Sequence, residues 1–197
     1  MYTPSGFVEK YSRVIHQVIE NNPLATVVIN GDAGLLVNHL PLMLENESVL
    51  IGHIAANNEM VNLDGVDVTV VFTGEDAYVS PNWYPSKKEH HKLVPTWNYQ
   101  VVHIRGRLSI QRDDKSKLAA VGKLTKWQEE KANGSKAWKM SDAPQEFMSQ
   151  MLGNIAAMSI TIDSVEAKSK LSQNRESGDY ENLKKIMAES GKRFIYD

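Results

Sequence analysis

A chain of 197 residues that is 42% hydrophobic and 23% charged has the composition of a globular protein able to bury a core. Lys and Arg number 22 against 24 Asp and Glu, a formal charge of −2, which argues against a protein that grips nucleic acid through many phosphates. Cysteine is absent, excluding disulfides, thiolate metal sites and cysteine nucleophiles. No stretch nears the ~20 apolar residues of a membrane span or resembles a signal peptide, so a cytoplasmic location without membrane contact is expected.

Tyr11, Val14, Ile15, Val18 and Ile19 recur at helical spacing and predict an amphipathic helix. It should end near Asn21, because Pro23 disfavours helix at the preceding residue. Residues 24–30 read as a strand, and Asn30-Gly31-Asp32-Ala33-Gly34 as a hairpin turn into a returning strand over 35–44. A further strand over 49–54 follows the polar turn at 45–48. The β-branched run 67–72 predicts a buried strand, with a turn at Gly74-Glu75-Asp76 and a short strand over 77–80. Residues 96–110 are long enough for two strand segments bent at Gly106.

Helical signals then resume. Leu118, Val121, Leu124 and Trp127 form one stripe, and Asp142-Ala143-Pro144-Gln145 offers a cap for a helix reaching Leu152. Residues 155–165 return to strand, and a last helix over 179–189 should stop at Gly191. Closely spaced strands joined by short turns favour an antiparallel barrel or sandwich over a βαβ sheet. The expected organisation is one domain over 1–197, with a helical insert at 114–152 and a C-terminal helix at 179–190 as appendages.

Residues 78–107 carry the densest chemistry: Trp83, Trp97, Tyr84 and Tyr99, His90, His91 and His103, Lys87, Lys88 and Lys92, and prolines at 81, 85 and 95. Aromatic faces, stiffened backbone and positive charge suit a small, planar, anionic ligand, although a large oligomer interface could use them too. The row Trp97, Tyr99, Val101, His103 occupies one face of a strand, as core or as ligand wall, with Asn98, Gln100, Val102 and Ile104 on the other.

Asn38 and His39 each interrupt an otherwise apolar strand face, and Pro41 places that strand at an edge or bulge. His53 ends a strand beside Gly52, which permits a backbone or ring to approach, and the turn beyond offers N–H groups and Asn side chains to a phosphate. Arg175, in KSKLSQNR, can bond two oxygens of an anion at once. Adjacent His90 and His91 lack metal-ligand spacing, and no nucleophile elbow, P-loop or dinucleotide fingerprint is present.

GLLVNHLP (34–41), GHIA with Asn58 (52–58), VVF and AYVSPNWYPSK (70–72 and 77–87), VPTWNY with VH and G (94–106), SDAP (141–144) and KLSQNR (170–175) together resemble the PaiB family, the FMN-binding negative transcriptional regulators. The resemblance implies a mainly β fold with flanking helices, an FMN-binding split β-barrel, usually homodimeric with FMN at the subunit interface. It also implies cofactor contacts at Asn38, His39, His53, Asn58, Thr96, Trp97, Asn98 and Arg175. Ala56 stands where family members often carry a base and Glu59 where they often carry proline, changes expected to weaken FMN binding, and an aromatic often found near Ser169 is missing. The functions implied are an FMN-binding regulator, an FMN-dependent oxidoreductase of flavin-reductase type, or a dimeric small-molecule sensor that has lost flavin. DNA contact, if made, would fall to Lys87, Lys88 and Lys92 or to Lys184, Lys185, Lys192 and Arg193.

Overall fold

A computed structural model describes residues 1–31 and 34–196. Seven strands form one sheet in the order β2-β1-β5-β6-β7-β4-β3: β1 Leu24–Gly31, β2 Gly34–Pro41, β3 Met43–Asn46, β4 Val49–Ala55, β5 Asp67–Val79, β6 Thr96–Gln111 and β7 Ile155–Lys170. Five α-helices accompany them: α1 Ser12–Asn21, α2 Lys87–His90, α3 Asp114–Asn133, α4 Gln145–Gly153 and α5 Ser177–Glu189. The fold is mainly β with flanking helices, as expected. The residues group into two compact units, one of 1–22, 71–103 and the stretch from Val165 onward, the other of 23–70 and 104–164.

In the second unit, β1 and β2 pair antiparallel from Leu24↔Pro41 to Gly31↔Gly34. Asp32 and Ala33 of the expected hairpin turn lie outside the described residues. Ala25, Val27 and Ile29 alternate inward from β1, the half-buried pattern its composition predicts. The returning strand expected over 35–44 is interrupted at Leu42. Pro41 cannot donate a ladder bond, and the Leu42 amide instead donates to the Pro23 carbonyl at 2.9 Å.

Leu42 is fully buried, and its Cδ2 lies 2.5 Å from where a Cβ on Gly52 would stand, with the Pro41 carbonyl at 3.2 Å. Gly52 therefore does admit a neighbouring backbone. β4 pairs with β3 on one side and with β7 on the other, setting His53 opposite Ala157.

β6 runs unbroken through Gly106, where two segments were expected. A Cβ there would come within 2.2 Å of the Thr161 carbonyl oxygen, so the glycine serves a close approach of β7. α3 is capped by Asp113, which accepts from the Ser116 amide, and it buries Lys117, Ala120 and Leu124. Leu118, expected on the buried stripe, is exposed. Asp142 does not cap α4: its carboxylate accepts from the Lys139 amide and closes a 3-10 turn, leaving Pro144 at the helix start.

In the first unit, Val14, Val18 and Ile19 are the buried face of α1, and Asn22 closes the helix by donating its side chain to the Val18 carbonyl. β5 continues straight through Gly74, the residue expected to turn. A Cβ at Gly74 would sit 3.1 Å from the Gln100 carbonyl and 3.3 Å from Val18 Cγ1, so this glycine too marks a close approach. The core here joins Ala77, Val79, Tyr84, Leu171, Leu183, Met187 and Phe194. Gly191 follows α5 at φ +75°, the left-handed conformation that ends helices.

Replacing Gly106 by Ala is expected to lower the unfolding free energy by about 1–3 kcal/mol or more through overpacking, whereas Gly153→Ala changes it by less than ~0.5 kcal/mol; denaturant titration of the two variants decides. The contrast arises because Gly153 has no atom within 4 Å of its added Cβ.

Candidate functional site

In the second unit the polar residues of β2 part company by strand parity. Asn38 lies opposite Val27 on the inward face, and its Oδ1 accepts from Asn58 Nδ2 at 2.8 Å. Asn58 spends its own oxygen on the Met60 amide at 2.9 Å, capping the 3-10 turn Glu59–Asn62. The Asn38–Asn58 pair thus fastens that turn to β2 and leaves Asn38 Nδ2 buried without a partner. His39 faces outward, with Nδ1 3.1 Å from the Thr26 hydroxyl.

His53 is half-buried on β4, and its Nδ1 is likewise buried and unpartnered. Burial holds its imidazole below the usual histidine range, so the neutral ring is favoured. An unsatisfied buried polar atom costs about 1–3 kcal/mol, so two of them on contacting strands β2 and β4 point to a ligand or ordered water. The N–H groups expected to be open beyond β4 are partly spent: Ala56 donates to Asn154, Asn58 to Ala55 and Val61 to Asn58. Ala56 and Glu59 are both exposed, so the Glu59 carboxylate acts through solvent and Ala56 adds no charge of its own.

In the first unit the inward face of β6 is polar where it starts. Asn98 and Gln100 are buried, while Trp97 is 55% exposed and Tyr99 half-buried, so the aromatic row is the outward face and not core. Gln100 donates to the Ser169 hydroxyl at 3.0 Å and to the Ile195 carbonyl at 2.7 Å, and accepts from the Ile195 amide at 2.8 Å. Ser172, at φ +65°, donates to Asn98 Oδ1 at 2.9 Å, so the Tyr84 hydroxyl 3.1 Å away is left to donate to Ser172. Asn98 Nδ2 remains buried and without a partner.

Thr96 and the Trp97 carbonyl both accept from Lys170 Nζ at 2.5 Å. Trp97 meets Tyr78 edge to face, centroids 6.0 Å apart. Arg175 lies over the Tyr84 ring at 5.1 Å. Burial, reinforced by the charges of Lys168 and then Arg175, holds the Lys170 amine below the ordinary lysine range.

Asn38 and Asn58 are therefore bonded to each other, and Asn38 and His53 share the same deficit of partners. Thr96, Trp97 and Asn98 follow one another on β6 and are tied by Lys170 and Ser172 to the segment bearing Arg175. His39 and Trp97 are engaged on exposed faces, His39 with Thr26 and Trp97 with Tyr78. Lys170 was not singled out from sequence because β7 was expected to stop at 165; extended to 170, strand alternation sets Lys168 and Lys170 on one face.

Residues 1–164 match the model of a family described as "Putative FMN-binding domain". A Bacillus subtilis protein named "Protease synthase and sporulation protein PAI 2" is 31% identical over 188 residues, covering 93% of this chain and 87% of the relative. An uncharacterized Saccharomyces cerevisiae protein is 41% identical over 107 residues, 51% of this chain and 63% of its own. Among solved structures, the flavocytochrome Anf3 from Azotobacter vinelandii superposes with a TM-score of 0.63 at 13% identity, covering 89% of this chain and 75% of its own. A FAD- and heme-binding protein from Mycobacterium smegmatis gives 0.61 at 15% identity, with 88% and 78% covered. These structural likenesses establish the split β-barrel fold.

The depressed His53 pKa has a signed consequence. As pH falls through 6.5 the unfolded chain takes up the proton first, so this stabilisation is complete above that pH and is lost below it, down to the lower folded value. The stability difference between wild type and His53→Gln, measured by denaturant titration, is expected to be flat above pH 6.5 and to shift against wild type below it.

Proposed function

The chain belongs to the PaiB-type family of FMN-binding split-barrel domains, and on that premise we propose that it binds FMN as a homodimer and serves as a ligand-responsive negative regulator. The observation that carries the flavin reading is the pair of buried, partnerless polar atoms, Asn38 Nδ2 and His53 Nδ1. A ring edge rich in carbonyl and imine groups would satisfy both, so the residues present fit the cofactor. We assign flavin contacts to Asn38, His39, His53 and Asn58 and also to Thr96, Trp97, Asn98 and Arg175. Asn58 holds Asn38 in place, and His53, kept neutral, can donate or accept without adding charge. When bound, FMN supplies reversible electron transfer, and the protein supplies position and electrostatics.

The dimer is favoured by the outer face of β1 and β2, at the edge of the sheet. Leu24, Leu35 and Val37 are 65%, 72% and 51% exposed there, and the paired register Val28↔Val37 and Leu24↔Pro41 puts apolar groups side by side. A long apolar edge hairpin left bare would invite aggregation. No helix among the described residues is long and apolar enough to cross a membrane, and a cytoplasmic location is part of the same proposal. DNA contact through Lys87, Lys88 and Lys92 would be weak and steeply salt-dependent, given a formal charge of −2.

Purified protein titrated with FMN should quench flavin fluorescence saturably, and Asn38→Ala and His53→Ala should each weaken binding by about tenfold, the worth of roughly one hydrogen bond to a buried partner. Fluorescence that stays unquenched at high protein concentration removes the flavin reading. Sedimentation of Leu35→Lys with Val37→Lys should show monomers where wild type shows dimers.

A further inference from the structure

We propose that Lys168, Lys170 and Arg175 form a seat for a phosphate monoester carried on an aromatic ring. The three cations have no carboxylate partner among the described residues. Lys170 Nζ donates only to the neutral Thr96 hydroxyl and Trp97 carbonyl, both at 2.5 Å. Lys168 donates to the Tyr2 carbonyl at 3.4 Å and lies 5.0 Å from the centre of the Tyr99 ring. Arg175 rests on Tyr84. Each contact orients a cation without cancelling its charge.

Lys168 is buried, and the charged form of Lys170 is disfavoured first by burial and then by the charges of Lys168 and Arg175. A second, independent observation lies in the same segment. Asn98 is 1% exposed, and its Oδ1 is taken by Ser172, so its unpartnered Nδ2 is fixed as a donor. Lysine ammoniums, a forked guanidinium and an amide donor together suit a group with several strong acceptor oxygens. A phosphate monoester carries about −1.5 to −2 charges at neutral pH, enough to offset the mutual repulsion of three cations where a carboxylate would not. The exposed Trp97, held edge-on by Tyr78 and anchored through its carbonyl to Lys170, offers a face to the attached ring.

The same chemistry has two sources, the phosphate of FMN itself or that of a second phosphorylated ring compound. Calorimetric titration of the full chain with phenyl phosphate and with phenol, without flavin, tests the seat directly. Phenyl phosphate should bind and phenol should not. Lys170→Gln and Arg175→Gln should each weaken phenyl phosphate by about tenfold or more, and Lys170→Arg should retain most of the affinity, all with wild-type melting curves.

The flavin-loaded protein then separates the sources. If FMN blocks phenyl phosphate and Lys170→Gln erases the preference for FMN over riboflavin, the phosphate is the flavin's own. If phenyl phosphate still binds beside saturating FMN, the seat takes a second ligand. Equal affinity for phenyl phosphate and phenol, or binding unchanged in the folded Lys170→Gln protein, overturns the proposal. Because the first titration contains no flavin, it can succeed where the flavin reading fails, and the reverse.

Discussion

The bidentate clasp of Gln100 on Ile195 is the contact around which the first unit is organised. One buried amide serves a backbone N–H, a backbone carbonyl and the Ser169 hydroxyl, so the start of β6, the end of β7 and the C-terminal segment share a single polar joint. Ser169 passes the connection on by donating to Glu9 at 2.7 Å, bringing in the N-terminal segment. In a low-dielectric interior each such bond is strong while satisfied and expensive when broken. The polar joint occupies the inward face, and that is why Trp97 and Tyr99 are turned outward, where a ligand can reach them.

Against this background of satisfied groups, three orphaned atoms stand out among the described residues: Asn38 Nδ2, His53 Nδ1 and Asn98 Nδ2. Native interiors leave few polar atoms unpaired. Here each belongs to a side chain whose other polar atom or whose strand is firmly placed, as Asn58 places Asn38 and Ser172 places Asn98. The donors are preorganised, so binding would not have to order them first. Asp179 adds to the same stiffness: its buried carboxylate accepts from the Ser86 amide at 3.0 Å and hydroxyl at 2.6 Å, tying the aromatic stretch to the start of α5.

Periodicity was legible where one face of an element is plainly apolar, as in α1, β1 and β4. It misled where glycine carried the message. Gly74 reads equally as a turn or as a point of close approach, and only the position of the Gln100 backbone decides between them. In α3 the apolar count favoured Leu118, yet the buried face uses Lys117 and Ala120, because a lysine can bury its stem and send its ammonium out to Asp114 at 3.5 Å. The fold class followed from motifs spread along the chain. At the site, sequence could say that Asn38 and His39 break apolar faces but not which face is inside. That parity is set by pairing with Val27 and Thr26. Lys168 and Lys170 read only as polar donors beyond a strand ending at 165, because nothing local shows that β7 extends to Lys170.

The first unit is assembled from residues 1–22, 71–103 and those from Val165 onward, three stretches far apart along the chain. Its joints are correspondingly remote: the Met1 ammonium pairs with Glu166, Arg13 donates to the Tyr196 carbonyl, and Gln100 waits for Ile195. Closing such loops costs entropy before any contact repays it, so assembly of this unit should be slow compared with a helical bundle of equal size. During synthesis on the ribosome, α1 and the aromatic stretch emerge long before the tail that completes them. Until the segment bearing Ile195 has emerged, those early segments persist unclasped, with apolar surface open to mispairing.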